Sequence, residues 1–266
     1  MKKSFGQHLL TNSFYLNKII DSINLTPDDV VLEIGAGTGI LTCELAKRVK
    51  KIFAVELENN IALKLRNNLT QNKIKNVQII KASILKIDID ELIDKPFRVI
   101  GNIPYNITSD ILLKLFGEID KPREHLKKIK SIHLMIQKEV ALRLVAETGT
   151  KNYSPLSILV QYFSKPSILF HVPSKAFLPS PKVDSAFIEL KVRENLKKIE
   201  NPKLVKNIIR TAFQQRRKKI SNSLCKFLDS KEQVNKIISK LNINENLRPE
   251  NLTLDQYILI SNELKQ

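Results

Sequence analysis

The chain has 266 residues, 42% of them hydrophobic and 27% charged, which excludes a disordered or fibrous protein and allows one large domain, alone or with a small second one. A net charge of +17 predicts long-range attraction to polyanions, nucleic acid foremost, although Lys and Asn are abundant throughout, as an AT-rich genome would produce. No apolar run approaches the roughly 20 residues of a membrane span and the opening Met1-Lys-Lys-Ser-Phe-Gly6 lacks the apolar stretch of a signal peptide, so a cytoplasmic protein is expected.

Periodicity predicts short buried strands over 30–34, 51–55, 77–80, 98–100 and 131–136, with helical patterns over 41–49, 59–69 and 107–116 between them. That alternation implies a doubly wound parallel α/β sheet of the Rossmann-like kind, helices on both faces, with ligands at the carboxyl ends of its strands. A further helix over 154–163 and late strands over 166–172 and 185–192 suggest that the sheet ends in an antiparallel pair. After Arg193 the pattern is helical only, over 202–215, 218–228, 231–241 and 252–264, which divides the chain into a domain of residues 1–195 and a small all-α domain of 196–266. Residues 196–266 carry 15 Lys/Arg against 7 Asp/Glu, a net +8 that leaves +9 for the other 195 residues, so charge density more than doubles in the tail. The basic run Arg216-Arg217-Lys218-Lys219 within it, with Lys182, is a candidate set of phosphate ligands, a solvated helix face being the simpler alternative.

Glycine is scarce, and four of the seven glycines (Gly35, Gly37, Gly39 and Gly101) stand where two predicted strands end. A strand passing into a helix through Gly-x-Gly-x-Gly presents bare backbone to a ligand. An ordinary tight turn or a dinucleotide pyrophosphate site would use a similar loop. Two acids favour another ligand: Glu33, just before the first glycine, suits a cationic amino group, and Glu56, ending the next strand, suits ribose hydroxyls. S-adenosylmethionine has an ammonium, a ribose and no phosphate.

The segment Asn102-Ile-Pro-Tyr105 ends the fourth strand, on the same sheet edge. An adenine amine is a poor nucleophile because its lone pair is delocalised into the ring. The Asn102 side-chain oxygen and the Pro104 carbonyl are placed to hold its hydrogens and favour a pyramidal nitrogen, while Tyr105 offers a face for an extruded base, a contact worth about 1–3 kcal/mol. Pro104 also keeps Ile103 extended. Cys43 and Cys225 are distant and read as reduced bystanders, and His8, His125, His133 and His171 show no ligand spacing, so no metal is expected.

With these motifs the sequence resembles the ribosomal RNA adenine dimethyltransferases, in particular the branch that dimethylates two adjacent adenines near the 3′ end of 16S rRNA. The resemblance covers nearly the whole chain. It rests on Phe5-Gly-Gln-His-Leu-Leu10, Glu33 to Gly39, Glu56, Gly101 to Tyr105, Phe177-Leu-Pro-Ser-Pro-Lys-Val-Asp-Ser185, Ala212-Phe-Gln-Gln-Arg-Arg-Lys218 and Asn222-Ser-Leu224. It implies a site for S-adenosylmethionine lined by His8, Leu10, Gly35, Glu56 and Asn102, and Phe177 stacked on the target base opposite Tyr105. It also implies 16S rRNA of the small ribosomal subunit or its precursor as partner, with a monomer as the default. Two departures stand out. Ser83, in Lys81-Ala-Ser83, occupies the place of an acidic residue that contacts the cofactor's adenine, and His8 stands where Asn is common. Three alternatives are a macrolide-resistance enzyme acting on 23S rRNA, a DNA adenine methyltransferase, whose motif favours Asp/Asn-Pro-Pro-Tyr, and a non-catalytic assembly or transcription factor on the same fold.

Overall fold

The computed structural model describes residues 8–264 apart from residue 229; Phe5, Gly6 and Gln7 of the opening motif lie outside the described residues. The chain forms two compact units. The first comprises residues 1–115, 123–141 and 164–194, and the second 116–122, 142–163 and 195–266. The second unit thus contains two segments from the middle of the chain besides the tail.

The first unit is built on seven strands: β1 (Val30–Ile34), β2 (Lys51–Glu56), β3 (Val77–Lys81), β4 (Phe97–Asn102), β5 (Ile129–Gln137), β6 (Ser164–Val172) and β7 (Ser185–Val192). Their order in the sheet is β3-β2-β1-β4-β5-β7-β6. The first five are parallel, and β7 runs antiparallel to both β5 and β6, so the late pair expected from the pattern closes one edge of the sheet. Every residue of β1 is buried, which is why its sequence, Val-Val-Leu-Glu-Ile, shows no apolar-polar alternation.

Helices α1 (Ser13–Ser22), α2 (Ile40–Ala46), α3 (Asn59–Gln71) and α4 (Thr108–Phe116) alternate with these strands, the last reaching the edge of the unit. Asn12 caps α1, its side-chain oxygen accepting from the Phe14 and Tyr15 amides. At the foot of the sheet, fully buried Asp29 accepts from Arg98 Nε at 2.8 Å and Lys130 Nζ at 2.9 Å, tying the entry to β1 to β4 and β5. Burial alone would raise the Asp29 carboxyl, but Lys130, the Thr26 amide and Arg98 together hold it below the ordinary range.

One short pairing decides the geometry of the site. Leu9–Leu10 runs antiparallel to Phe177–Leu178, with Leu9 opposite Leu178 and Leu10 opposite Phe177. The chain just before α1 is thereby laid over the carboxyl end of the sheet.

The second unit is helical: α5 (Lys138–Leu144) leads into it, followed by α6 (Pro155–Phe163), α7 (Pro202–Gln214), α8 (Ile220–Leu224), α9 (Lys231–Lys240) and α10 (Leu254–Glu263). Its core includes Phe116 stacked on Phe163 at 5.5 Å, with Val205, Ile208, Ala212 and Ile260 buried. Tyr257 is buried too and donates its hydroxyl to the Pro249 carbonyl at 2.8 Å. The helix predicted over 218–228 is only α8: Gln215 caps α7 and Lys219 precedes α8, so Arg216, Arg217 and Lys218 form a turn between helices and not a helix face.

Candidate active site

The glycine turn is locked to its neighbours by its own backbone. The amides of Gly35 and Ala36 both donate to the Val55 carbonyl, at 3.0 and 3.2 Å, and the Gly37 amide donates to Glu56 Oε2 at 2.9 Å. The ends of β1 and β2 are therefore stitched together at the point where a ligand would enter. Gly35 has φ +76°, and a Cβ there would stand 2.8 Å from the Asn102 carbonyl oxygen; a Cβ on Gly101 would stand 2.5 Å from the Ile34 carbonyl oxygen. Each motif needs its glycine because the backbone of the other passes so close. Their spatial juxtaposition explains two features that lie 66 residues apart in sequence.

Above this seam is an open cleft of about 1040 Å³, lined among others by His8, Leu9, Gly35, Gly37, Glu56, Ser83 and Asn102 to Ile107. Of the site residues expected from sequence, His8, Gly35, Gly37, Glu56, Ser83, Asn102, Pro104 and Tyr105 share this one cleft. Glu33 and Leu10 line a smaller cavity beside it, which Gly35, Gly37 and Asn102 also border.

Glu33 is 1% exposed, and its Oε2 has no hydrogen-bond partner. Burial pushes its carboxyl up to about 8; the nearby Thr42 hydroxyl favours the charged form and the Glu56 charge opposes it. The Thr42 hydroxyl itself completes no hydrogen bond, so its help is partial. A buried carboxyl with an unused oxygen is a poor structural element and a good receptor for an ammonium. Glu56 differs, since its Oε1 takes the Glu58 amide at 2.9 Å while Oε2 takes Gly37, which orients the carboxylate toward the cleft floor.

The side chain of Asn102 is oriented by a contact with the amino-terminal strand: its Nδ2 donates to the His8 carbonyl at 2.8 Å. With the amino end occupied, Oδ1 is the end left to accept. The Pro104 carbonyl accepts long bonds from the Ile107 amide at 3.3 Å and the Thr108 hydroxyl at 3.4 Å, so its lone pairs are already partly engaged. Tyr105 bonds through its hydroxyl to Ser185 Oγ at 2.5 Å, burial raises that hydroxyl's pKa, and one ring face is stacked on His8 at 5.4 Å. The His8 ring is in turn held by the Pro179 carbonyl, 2.7 Å from Nδ1.

Two expected residues, Phe177 and Arg216, are placed differently. Phe177 is not in the cleft. It is 3% exposed and belongs to the main hydrophobic cluster, its backbone paired with Leu10, instead of lining the cleft beside Tyr105. Arg216 is half-buried, donates to the Lys151 carbonyl and lies 3.7 Å from Glu250, so its charge is spent within the helical unit. Lys219 is bonded to the Asn246 side chain. Arg217, Lys218 and Lys182 are exposed. Sequence reasoning missed Leu57 and Leu85, which border the cleft while 51% and 37% exposed, and Ser185, the anchor of Tyr105. An apolar residue directly after the strand-end acid Glu56 was the available signal. Among the described residues no cluster of His, Cys, Asp and Glu is arranged to hold a metal, and no helix is long and apolar enough to cross a membrane.

The strand order, the glycine turn and an Asn-x-Pro-Tyr segment on the same sheet edge define a Rossmann-like methyltransferase. The chain belongs to the ribosomal RNA adenine dimethylase family, whose model matches residues 1–266. It is 40% identical over 271 residues to Ribosomal RNA small subunit methyltransferase A of Crocosphaera subtropica, covering 100% of this chain and 98% of that protein. It is 38% identical over 270 residues to the protein of the same name from Caldanaerobacter subterraneus, covering 99% and 97%. Among solved structures, a dimethyladenosine transferase from Plasmodium falciparum aligns with TM-score 0.78 at 27% identity over 95% of this chain and 96% of that one. The 23S rRNA methyltransferase ErmE aligns with TM-score 0.73 at 25% identity over 97% and 100%.

Proposed function

We propose that the chain transfers methyl groups from S-adenosylmethionine to the exocyclic amines of two adjacent adenines near the 3′ end of 16S rRNA, giving dimethyladenosine during small-subunit biogenesis. The observation that carries this reading is Asn102: its amide is held by His8 so that Oδ1 remains as acceptor, in the same cleft as the glycine turn and Glu56. The names of the full-length relatives supply the substrate class.

The residues present fit the methyl donor. Glu33 offers an unpartnered buried carboxylate oxygen for its ammonium, Glu56 a carboxylate for its ribose and Ser83 a hydroxyl toward its adenine, and Gly35 and Gly37 line the cleft with backbone. When bound, S-adenosylmethionine supplies an electrophilic methyl on sulfur and keeps the electron pair of the breaking bond. Asn102 Oδ1 accepts one hydrogen of the adenine amine and draws its lone pair out of the ring. The Pro104 carbonyl, already shared with Ile107 and Thr108, is the second and weaker acceptor. Tyr105, braced by Ser185, presents the face against which the base is held. No strong base is needed, because the methylated ammonium is acidic enough to lose its proton to water. Catalysis comes from alignment and from acceptors placed where positive charge develops. For the second methyl the same acceptor must hold the one remaining hydrogen. Lys182, Arg217 and Lys218 would bind phosphates.

The test is transfer of labelled methyl to small ribosomal subunits lacking the modification, followed by nucleoside analysis. Dimethyladenosine in 16S rRNA supports the reading. Transfer to 23S rRNA would move the chain to the resistance branch, and silence on both would favour the non-catalytic alternative.

A further inference from the structure

A second groove lies at the opposite end of the sheet from the cleft. It is lined by Val30, Lys51 and Val77, the first residues of β1, β2 and β3, together with Lys50, Phe53, Lys75, Ile93, Asp94 and Lys95, and it is open to solvent. Strands of five or six residues rising ~3.3 Å each put it roughly 17–20 Å from the strand ends that carry Glu56 and Asn102. Its rim is four exposed lysines, Lys50, Lys51, Lys75 and Lys95, against one aspartate, Asp94.

A minority of the chain's 34 lysines are neutralised by carboxylates. Lys47, Lys128, Lys130, Lys197, Lys206 and Lys240 each pair with a carboxylate. The four in the groove make no ion pair among the described residues, and their mutual repulsion does nothing for folding. The Lys51 side chain and the turns that carry Lys50 and Lys75 are held in place. The Lys51 ammonium sits 4.2 Å above the Phe53 ring, which fixes a side chain that would otherwise be mobile. Asn76 donates through Nδ2 to the carbonyls of Ala46 and Val49, at 2.9 Å each, clasping the Lys75 turn to the segment before Lys50, and the Lys50 amide donates to the Asp29 carbonyl. Four ammonium groups around a groove that holds a single carboxylate fit the spaced phosphates of an RNA strand.

We propose that this groove is a second docking surface for substrate RNA, gripping the phosphate backbone of a segment away from the target adenines. The inference rests on the reading of the protein as an rRNA methyltransferase, and adds a contact on the face away from the reacting atoms.

The test is binding of an RNA comprising the 3′ domain of small-subunit rRNA, titrated between 0.05 and 0.3 M salt, to the full chain and to a Lys50→Gln/Lys75→Gln/Lys95→Gln variant. S-adenosylmethionine binding and the unfolding transition are measured on both and should not change, since all three side chains are exposed and outside the cleft. Each phosphate contact contributes about 0.7–0.9 to the slope of log K against log salt. The variant should therefore lose about 2 to 3 from that slope and at least tenfold in affinity at 0.1 M salt. Equal slopes and affinities for the two proteins overturn the groove while leaving the activity standing if dimethyladenosine still forms. If the unaltered chain neither binds nor methylates the RNA, the groove and the functional reading fall together.

Discussion

Replacing Glu33 by Gln should stabilise the protein while weakening its hold on the methyl donor. Glu33 is buried with Oε2 unpartnered, and its carboxyl is pushed up to about 8 from an ordinary 4.5. At pH 7 the folded chain keeps that group protonated while the unfolded chain ionises it. Folding therefore forfeits 2.5 pH units of ionisation, which at 1.36 kcal/mol each is about 3 kcal/mol. The sign follows from the raised value: the contribution is harmless below pH 4.5, and stability is lost progressively as pH rises from there to about 8. Gln has nearly the same shape and no charge, but its amide needs partners beside the equally unpartnered Thr42 hydroxyl, which offsets about 1 kcal/mol of the gain. The net gain of about 2 kcal/mol at pH 7 corresponds to a rise in Tm of roughly 4–8 °C; it grows toward pH 8, vanishes near pH 5 and reverses by up to about 1 kcal/mol below that. Calorimetry of both proteins across that range measures it. The ligand arm separates function from stability: Glu33→Gln should weaken S-adenosylmethionine at least tenfold and leave 5′-methylthioadenosine, which lacks the ammonium, nearly unaffected. In the unaltered protein, affinity for S-adenosylmethionine should rise as pH climbs toward 8, because the ammonium needs Glu33 ionised. A Tm difference that is absent or reversed at pH 8, with parallel pH profiles, would refute the argument.

Asn102→Ala should reduce methyl transfer by at least 10²-fold, as removal of an aimed polar group does elsewhere, while costing stability only the ~1 kcal/mol of its bond to the His8 carbonyl; circular dichroism and transfer assays on one preparation check both. Gly35→Ala should destabilise by about 1–3 kcal/mol in urea titration, since it combines φ +76° with a Cβ 2.8 Å from the Asn102 oxygen. His133 is buried with Nδ1 unpartnered, and burial, helped by the Arg98 charge, lowers its pKa to about 4. The unfolded chain takes up a proton below pH 6.5 and the folded one does not, so up to about 3 kcal/mol should be lost between pH 6.5 and 4, and His133→Gln should flatten that slope. Arg216→Ala should lower the unfolding transition of the helical unit, whereas Arg217→Ala/Lys218→Ala should leave it in place and lower RNA affinity and its salt slope.

The parallel sheet was legible in the sequence because strands buried on both sides read as unbroken apolar runs bounded by glycine and acid, as Val30–Ile34 does between Asp29 and Gly35. The cleft was legible for a related reason: Gly35, Glu56 and Asn102 each follow or end a parallel strand, and parallel strands bring their carboxyl ends to one edge. Side-chain orientation across distant segments was not legible. Phe177 and Tyr105 are both aromatic residues in loop motifs, yet the first, its backbone paired with Leu10, is buried in the core while Ser185 and His8 hold the second at the cleft. The basic run reads as four equal charges, and only the packing of the helical unit decides that Arg216 turns inward to Glu250 while Arg217 and Lys218 face water. Local pattern determines elements and strand ends because it depends on neighbours in the chain. Which side of an element a residue faces depends on partners as far as 171 residues away, such as Pro179 for His8, and those are chosen only when the sheet assembles.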